Sequence, residues 1–236
     1  MTMSVLQNKL QIYKARRDLI NKGVSFIDSP LRYLMRRLRL VNKIAVGDFI
    51  KSWDVFLTLD FIEKNLRKDE PILDIGCYAS EIIAVLHKSG YSNLSGVDLN
   101  QNLTKMPFRE SIKYKITDFM HTGFPNSSFK AITSISVIEH GFNGPLLLKE
   151  VSRLLKFGGF FIASFDYFPE KINTDNVKYF DMDWKIFSKE EVTDFISKAT
   201  DYGLKPFGRI AYNAKNKPIN YGGKQYTFAW LVLKNS

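Results

Sequence analysis

Apolar and polar positions change their spacing at about residue 71, and this change divides the chain into two patterns. From Pro71 onward, short apolar runs alternate with segments of helical spacing, which is typical of βαβ units and a parallel sheet. The pattern predicts strands near 72–75, 93–98, 112–117, 130–137 and 158–165. It predicts helices between them near 79–89, 100–106 and 143–155.

The end of the chain follows a different arrangement. A long polar loop over 166–187 precedes a helix that opens with a capping box, formed by Ser188 and Glu191. Two β-rich runs near 204–212 and 225–234 have no helix between them, so we expect them to pair antiparallel. The whole pattern predicts an α/β fold: a Rossmann-like, seven-stranded, mostly parallel sheet with an antiparallel final strand and helices on both faces.

The N-terminal part is helical in pattern and basic. Helical spacing runs over 5–21, a second helix is predicted to open at Ser29 and Pro30, and a third covers about 47–66. Residues 1–45 supply +8 of the net charge of +10. We therefore predict a basic helical extension over 1–45 and a main domain over 46–236. Such an extension could contact nucleic acid, an anionic membrane surface or an anionic substrate, and a solvated helix pair explains it equally well.

Several classes of protein are excluded or disfavoured by composition. The opening residues lack the apolar core of a signal peptide, and no apolar run reaches membrane-spanning length, so we expect a soluble cytoplasmic protein. The single cysteine, Cys77, excludes an internal disulfide. The three histidines are scattered without the spacing of metal ligands, and no metal is expected.

The sharpest motif is PILDIGCYASEI, in which an apolar strand runs into Asp74 and Gly76 before a helix. A glycine there lets the backbone turn tightly and approach a ligand. The next apolar strand ends in Asp98, 24 positions after Asp74. An acid at that strand tip is placed to accept the hydroxyls of an adenosine ribose. The glycines that a dinucleotide pyrophosphate needs are missing from residues 77–80, so a dinucleotide is not expected.

Five motifs follow one another along this part of the chain: LDIGC, GVDL, ITDF, FPNSSFKAITSISVIEH and LLKEVSRLLKFGGFFIASF. Over residues 71–165 the chain resembles class I S-adenosylmethionine-dependent methyltransferases. The SVIEHG and DYFPEKINT stretches resemble bacterial enzymes of small-molecule biosynthesis, especially of sugars. The resemblance implies S-adenosylmethionine as cofactor and methyl transfer to a small-molecule acceptor, most of all a hydroxyl of a sugar, nucleotide sugar or glycan.

The same resemblance implies which residues contact the cofactor. It assigns the turn beneath the methionine moiety to Asp74, Gly76 and the backbone of Cys77, the ribose diol to Asp98, the adenine to Leu99, Asp118 and the amide of Phe119, and the floor below the methyl group to Ser136 and Val137. The sequence departs from the family where relatives have two further glycines and this chain has Tyr78 and Ser80. Either cofactor binding is impaired, or the loop is shifted.

The chemistry needs little beyond alignment, because the sulfonium already activates the methyl group. A hydroxyl acceptor gains from a base, for which His140 is the first candidate, with Glu139 beside it; packing of the strand–helix turn is the alternative role of His140. Asp166, Tyr167 and Trp184, in or beside the loop after the fifth strand, suit recognition of a polyol, although ordinary loop packing explains them equally well.

Two other functions stay open on the sequence alone. One is an RNA methyltransferase that uses the basic N-terminal helices for phosphate contacts. The other is a non-catalytic binding protein on the same fold, which the residues at positions 78 and 80 suggest.

Overall fold

A computed structural model describes residues 3–27, 30–38, 40, 44–141, 143–179 and 181–236, and the side chains of 30–32 are outside the description. The predicted N-cap Ser29 also lies outside the described residues. The helices are α1 (Lys9–Asn21), α2 (Pro30–Arg37), α3 (Ser52–Asn65), α4 (Ile82–Lys88), α5 (Gly144–Leu154) and α6 (Lys189–Asp201).

The strands are more numerous than the pattern predicts. They are β1 (Met3–Val5), β2 (Ile72–Ile75), β3 (Leu94–Asp98), β4 (Ile112–Ile116), β5 (Phe129–Ile135), β6 (Leu155–Tyr167), β7 (Lys178–Tyr179), β8 (Met182–Asp183), β9 (Leu204–Pro206), β10 (Ile219–Tyr221) and β11 (Lys224–Asn235). Short 3₁₀ turns cover Phe49–Lys51 and Gln101–Lys105.

The central sheet has the order β1-β11-β6-β5-β2-β3-β4, with β9 and β10 also paired to β11. Strands β2 to β6 are parallel to one another, and β11 runs antiparallel to β6. The predicted α/β fold, with a mostly parallel sheet and an antiparallel final strand, is confirmed. The two C-terminal β-rich runs pair antiparallel as expected, although the first of them is only the three residues of β9.

The sheet buries one apolar layer on each face, because successive side chains of a strand point to opposite sides. Residues of α1, α3 and α4 pack on one face, together with Phe160 and Ile162 of β6. Residues of α5 and α6 pack on the other face, together with Phe161 and Phe165. Helices therefore cover both faces, as the sequence predicts.

The described residues of the N-terminal extension pack on the rest of the chain. Met3 and Val5 are buried, and β1 extends the sheet by pairing with β11, which the helical pattern did not predict. Helix α1 packs on α3. Helix α2 is different: its Tyr33 and Leu34 are exposed. Among the described residues, no helix combines the length and the apolar composition needed to cross a bilayer.

A buried ion pair attaches α1 to the loop before α4. The Arg16 guanidinium donates to both oxygens of the Glu81 carboxylate at 2.7 Å, and both side chains are almost fully buried. Glu81 Oε1 also accepts from the backbone amides of Phe26 and Ile27, at 2.8 and 3.2 Å. The segment after α1 is therefore fixed to the turn that follows β2.

We expect Arg16→Met to lower the free energy of unfolding by about 3–5 kcal/mol, because it leaves a buried carboxylate without its counter-charge. Arg17, exposed on the same helix, gives the matched control: Arg17→Met should change stability by less than about 0.5 kcal/mol. Urea denaturation measures both. Equal stabilities of the two variants would contradict a structural role for the pair.

Candidate active site

The turn after β2 brings the chain close to the end of β5. Gly76 adopts a positive φ of 66°, and a Cβ there would lie 2.4 Å from Cγ2 of Val137. The Asp74 carboxyl is buried and accepts from the Thr133 hydroxyl at 2.7 Å. Burial raises the pKa of Asp74 to about 7. Position 76 therefore has to be glycine for two reasons, its backbone angle and the absence of space.

The two missing family glycines cause no backbone strain at their own positions. The left-handed residue of this loop is Ala79, with φ of 59°, while Tyr78 and Ser80 have negative φ. The Tyr78 side chain packs against a small apolar cluster that includes Ile44 and Val46. The Gly47 amide donates to the carbonyl of Ala79 at 2.8 Å. The bulk of Tyr78 thus packs against the N-terminal segment.

Asp98 connects the tip of β3 to this turn. Its Oδ2 accepts from the backbone amide of Tyr78, and its Oδ1 accepts from that of Asn100, both at 2.9 Å. A carboxylate has about four acceptor sites, so two amides leave capacity for a ligand diol. The side chain is half-buried, at the carboxyl edge of the sheet. Asp98 therefore also has a structural role, which the sequence alone did not indicate.

The other residues predicted to contact the cofactor also follow the carboxyl ends of the parallel strands. Leu99 is 62% exposed, Asp118 Oδ1 accepts from the Met120 amide at 2.8 Å, and Ser136 has a left-handed φ of 55°. Phe119 is partly buried against the apolar layer below α5. Cys77 is fully buried, and burial raises the pKa of its thiol, so it is an inert packing residue.

A second group of polar side chains lies on the sheet face that carries α3, and we call Lys51, Asp54, Glu139 and Asp166 the acidic cluster. Lys51 Nζ is 3.5 Å from Asp166 Oδ1, and Trp184 Nε1 donates to Asp166 Oδ2 at 2.8 Å. Asp54 Oδ2 accepts from the Ser164 hydroxyl at 2.9 Å. One ammonium thus faces three nearly inaccessible carboxyl groups.

The pKa values of the acidic cluster reflect this imbalance. Burial, with a smaller contribution from the neighbouring Asp166, raises the pKa of Asp54 to about 7 and that of Glu139 to about 8, while Lys51 opposes the shift. Burial lowers the pKa of Lys51, but the three carboxyl groups outweigh it and the pKa is raised overall. Oδ1 of Asp54 and Oε2 of Glu139 are buried without a hydrogen-bond partner among the described residues.

His140, the first candidate base of the sequence analysis, lies at the rim of this cluster. It is half-buried, and burial lowers the pKa of its imidazole. Its backbone forms an isolated bridge with Trp184, and the carbonyl of Glu139 accepts from the Lys185 amide at 2.8 Å. The loop after β6 is therefore attached directly to residues 139 and 140.

Aromatic rings surround the acidic cluster, and we call Tyr179, Trp184, Tyr221, Tyr226 and Phe228 the aromatic wall. The Trp184 ring lies 5.2 Å from that of Tyr179 and 5.6 Å from that of Tyr226, centroid to centroid. Lys51 Nζ lies 3.5 Å from the centroid of the Phe228 ring. The Tyr226 side chain lies beside Asp166, and burial together with this carboxylate raises the pKa of its phenol.

The structure brings together two of the three residues predicted to bind the acceptor. Asp166 and Trp184 meet in the acidic cluster. Tyr167 points to the opposite face of the sheet, where it is fully buried and donates to the carbonyl of Tyr212 at 2.7 Å. Its assignment to the acceptor surface is corrected, because neighbouring residues of a strand alternate between faces.

The sequence pattern did not predict that Lys51, Asp54 and Tyr226 belong to the site. The helical pattern near 47–66 predicted only apolar packing on the sheet, since its large side chains dominate the spacing. The available signal was a polar stripe on the same helix: Asp54 and Thr58 are four residues apart and both fully buried. Buried polar positions amid an apolar face mark a site or a network.

Comparison with known proteins agrees with this geometry. A family model described as a methyltransferase domain matches residues 73–163. Phosphoethanolamine N-methyltransferase 1 of Arabidopsis thaliana is 26% identical over 149 residues, which are 60% of this chain and 30% of that protein. Sterol 24-C-methyltransferase erg6 of Aspergillus fumigatus is 28% identical over 107 residues, 42% of this chain and 28% of that protein. The chain thus spans about a third of the length of these relatives.

A solved structure extends the likeness to the whole fold. Geranyl diphosphate C-methyltransferase from Streptomyces coelicolor A3(2), in complex with S-adenosyl-L-homocysteine, superposes with a TM-score of 0.60 at 14% identity, over 96% of this chain and 98% of that one. This likeness shows a shared fold. The family match over 73–163 and the motif order identify the class: the chain carries a class I S-adenosylmethionine-dependent methyltransferase domain. S-adenosylmethionine is the cofactor of that domain.

We expect Asp98→Ala to weaken binding of S-adenosylmethionine by roughly 1–3 kcal/mol, the scale of lost hydrogen bonds to a charged group. Titration calorimetry measures the affinity, and circular dichroism checks that the variant folds. Asp69→Ala, at an exposed carboxylate, is the control and should bind normally. An unchanged affinity in folded Asp98→Ala would refute a ribose contact.

Ala79→Gly should stabilise the protein by about 0.5–1 kcal/mol, because glycine relieves the left-handed backbone conformation at this position. Ala84→Gly, inside α4, is the matched control and should destabilise by about 1 kcal/mol or more. Thermal or urea unfolding gives both values. A destabilising Ala79→Gly would show that the methyl group of Ala79 packs usefully in the turn.

Proposed function

We propose that this protein transfers a methyl group from S-adenosylmethionine to a small-molecule acceptor bound at the acidic cluster. The observation that carries the proposal is the position of Glu139. This carboxyl group is buried, and it follows β5 by four residues and the floor position Ser136 by three. In open α/β sheets, ligands bind beyond the carboxyl ends of the strands.

The described residues fit the cofactor. Asp98 has free acceptor capacity beside the turn, and Gly76 lets the backbone of the turn lie directly against the floor residue Val137. In this proposal Asp74, Gly76 and Cys77 hold the methionine end, and Asp98, Leu99, Asp118 and Phe119 hold the adenosine. Ser136 and Val137 form the floor. The bound cofactor supplies an electrophilic methyl group, and the protein supplies alignment, exclusion of water and a base.

Glu139 is the base that the geometry favours. A general base works best when its pKa lies near the working pH, and burial brings the pKa of Glu139 to about 8. His140, at the rim, has a pKa below its ordinary value and is the second candidate. A base is useful only where the acceptor atom carries a removable proton, so the acceptor is a hydroxyl or an amine.

The finer hypothesis of a sugar, nucleotide sugar or glycan hydroxyl rests on Asp166 and Trp184. An indole ring and a carboxylate can recognise a polyol, as the sequence suggests. The relatives named above act on different classes of molecule, as their names state: phosphoethanolamine, a sterol and geranyl diphosphate. They support small-molecule methylation and do not single out sugars.

Partners of the basic N-terminal residues stay predictions of the sequence. Helix α2 presents exposed Tyr33 and Leu34 beside the basic Arg37. Contact with nucleic acid should appear as retention on RNA that falls steeply with added salt, and its absence at low salt would remove the RNA methyltransferase alternative. A protein that fails to bind millimolar S-adenosylmethionine would instead be the non-catalytic alternative.

The rate of methyl transfer should rise with pH through about 8 if Glu139 is the base, because only the ionised carboxylate accepts a proton. The enzyme is assayed with labelled S-adenosylmethionine and a panel of amines, alcohols and nucleotide sugars. Glu139→Gln should abolish this rise and cut kcat by about 100-fold or more.

His140→Ala is the matched variant for the same measurement. If His140 is the base, the rise in the rate of the unaltered enzyme lies at lower pH than the rise expected for Glu139, because burial lowers the pKa of the imidazole. Full activity of Glu139→Gln with an unchanged pH profile would overturn the assignment of Glu139. Cofactor affinity should be unchanged in both variants.

A further inference from the structure

The acidic cluster has three carboxyl groups but, among the described residues, one ammonium group. That ammonium group, of Lys51, already pairs with a carboxylate. Lys51 Nζ faces Asp166 Oδ1 at 3.5 Å. Asp54 and Glu139 each keep one buried oxygen without a partner, and these side chains are 0% and 1% exposed. Orphaned buried acceptors are costly, so they indicate that a group with donors binds there.

Lys51 shows which kind of group this surrounding stabilises. Its ammonium lies over the face of Phe228, 3.5 Å from the ring centroid, and beside a carboxylate. The rings of Tyr226 and Trp184 continue that aromatic surface. Aromatic faces and carboxylates together attract organic cations. The cluster therefore already holds one primary ammonium, and its chemistry suits a second.

Neutral and anionic acceptors fit this surrounding less well. A hydroxyl can donate one hydrogen bond but supplies no positive charge to two desolvated carboxyl groups. An anion would be repelled by Asp166 and by any ionised neighbour. Burial raises the pKa of Asp54 and of Glu139, which means that protons supply the missing positive charge in the free protein. A bound ammonium would take over that role.

We infer that the methyl acceptor is a small amine, bound as its ammonium at the carboxyl groups of the acidic cluster and beside Trp184, Tyr226 and Phe228. The inference rests on the proposed function and specifies its acceptor. In the transfer, Glu139 takes a proton from the ammonium, and the freed nitrogen lone pair forms the new N–C bond. The S–C bond breaks as its electron pair returns to sulfur. The products are the methylated ammonium, which keeps its positive charge, and neutral S-adenosylhomocysteine, with one proton on Glu139.

Two matched pairs of probes test the charge requirement. Propan-1-amine is compared with propan-1-ol, and choline is compared with 3,3-dimethylbutan-1-ol, which has the shape of choline without its charge. Calorimetry measures each probe against the full chain saturated with S-adenosylhomocysteine at pH 7. We expect the cation of at least one pair to bind roughly tenfold more tightly than its neutral partner.

Variants of the acidic cluster test whether its carboxyl groups cause the preference for the cation. Glu139→Gln and Asp54→Asn keep the shape of the side chains and remove their charge, and each should reduce the preference to about threefold or less. Lys64→Ala is the control, because this exposed lysine lies on α3 and pairs with Asp60, outside the acidic cluster. It should leave the preference unchanged. Two isosteric variants keep the test usable if one of them does not fold.

Each outcome decides the matter. Preference for the cation that both isosteric variants weaken supports an amine acceptor. Equal or weaker binding of the cation in both pairs, while S-adenosylhomocysteine binds normally, overturns the amine and leaves methyl transfer to a neutral acceptor. Failure of S-adenosylhomocysteine itself to bind refutes the proposed function, and the amine with it.

Discussion

The carboxylate of Asp98 holds together two turns at the edge of the sheet where the cofactor is proposed to bind. It accepts the amide of Tyr78 from the turn after β2 and the amide of Asn100 from the turn after β3. Hydrogen bonds to a charged acceptor are stronger than those between neutral groups. The two strand tips are therefore fixed relative to each other, and every proposed cofactor contact on this edge depends on that fixation.

The described N-terminal residues complete this edge. Glu81, just beyond the turn, is bound by Arg16 of α1, and Gly47 bonds the carbonyl of Ala79. Lys51 and Asp54 follow directly and enter the acidic cluster. The same stretch of chain thus supports the cofactor turn and supplies part of the proposed acceptor site. A disturbance of α1 should be felt at both, because packed elements transmit strain.

Much of the fold could be predicted from the sequence, because it is encoded locally. The apolar runs predicted the ends of all five parallel strands to within three residues, and Ser188 with Glu191 marked the start of α6. Strand β1 was not predictable: Met3–Val5 is too short for a pattern, and its pairing with β11 joins opposite ends of the chain. Helix α4 begins later than predicted because Ala79 is left-handed and keeps 77–80 in the turn.

The part of the candidate site that lies at the strand tips could be predicted from the sequence. The part that forms where distant elements meet could not. Asp74, Gly76 and Asp98 follow from strand order alone, since carboxyl ends of parallel strands share one edge. Lys51 and Asp54 precede that sheet in the chain, and only tertiary packing places them beside Asp166. The prediction for Tyr167 was wrong for a simpler reason. Strand β6 continues to Tyr167, so the direction of this side chain follows the alternation of faces along the strand, as it would not in a loop.

The acidic cluster makes the folded state depend on pH in a definite direction. Asp54 and Glu139 have folded pKa values of about 7 and about 8, above the ordinary values of 3.8 and 4.5. The unfolded chain therefore binds fewer protons than the folded chain between about pH 4 and 8. By linkage, the stability that protonation contributes is complete below pH 4 and is lost as pH rises through 7 to 8. Near neutral pH the two buried carboxyl groups therefore lower the stability of the folded protein. Packing alone does not require carboxyl groups at these positions. A bound cation would relieve that cost, because it stabilises the ionised carboxylates where water cannot reach them.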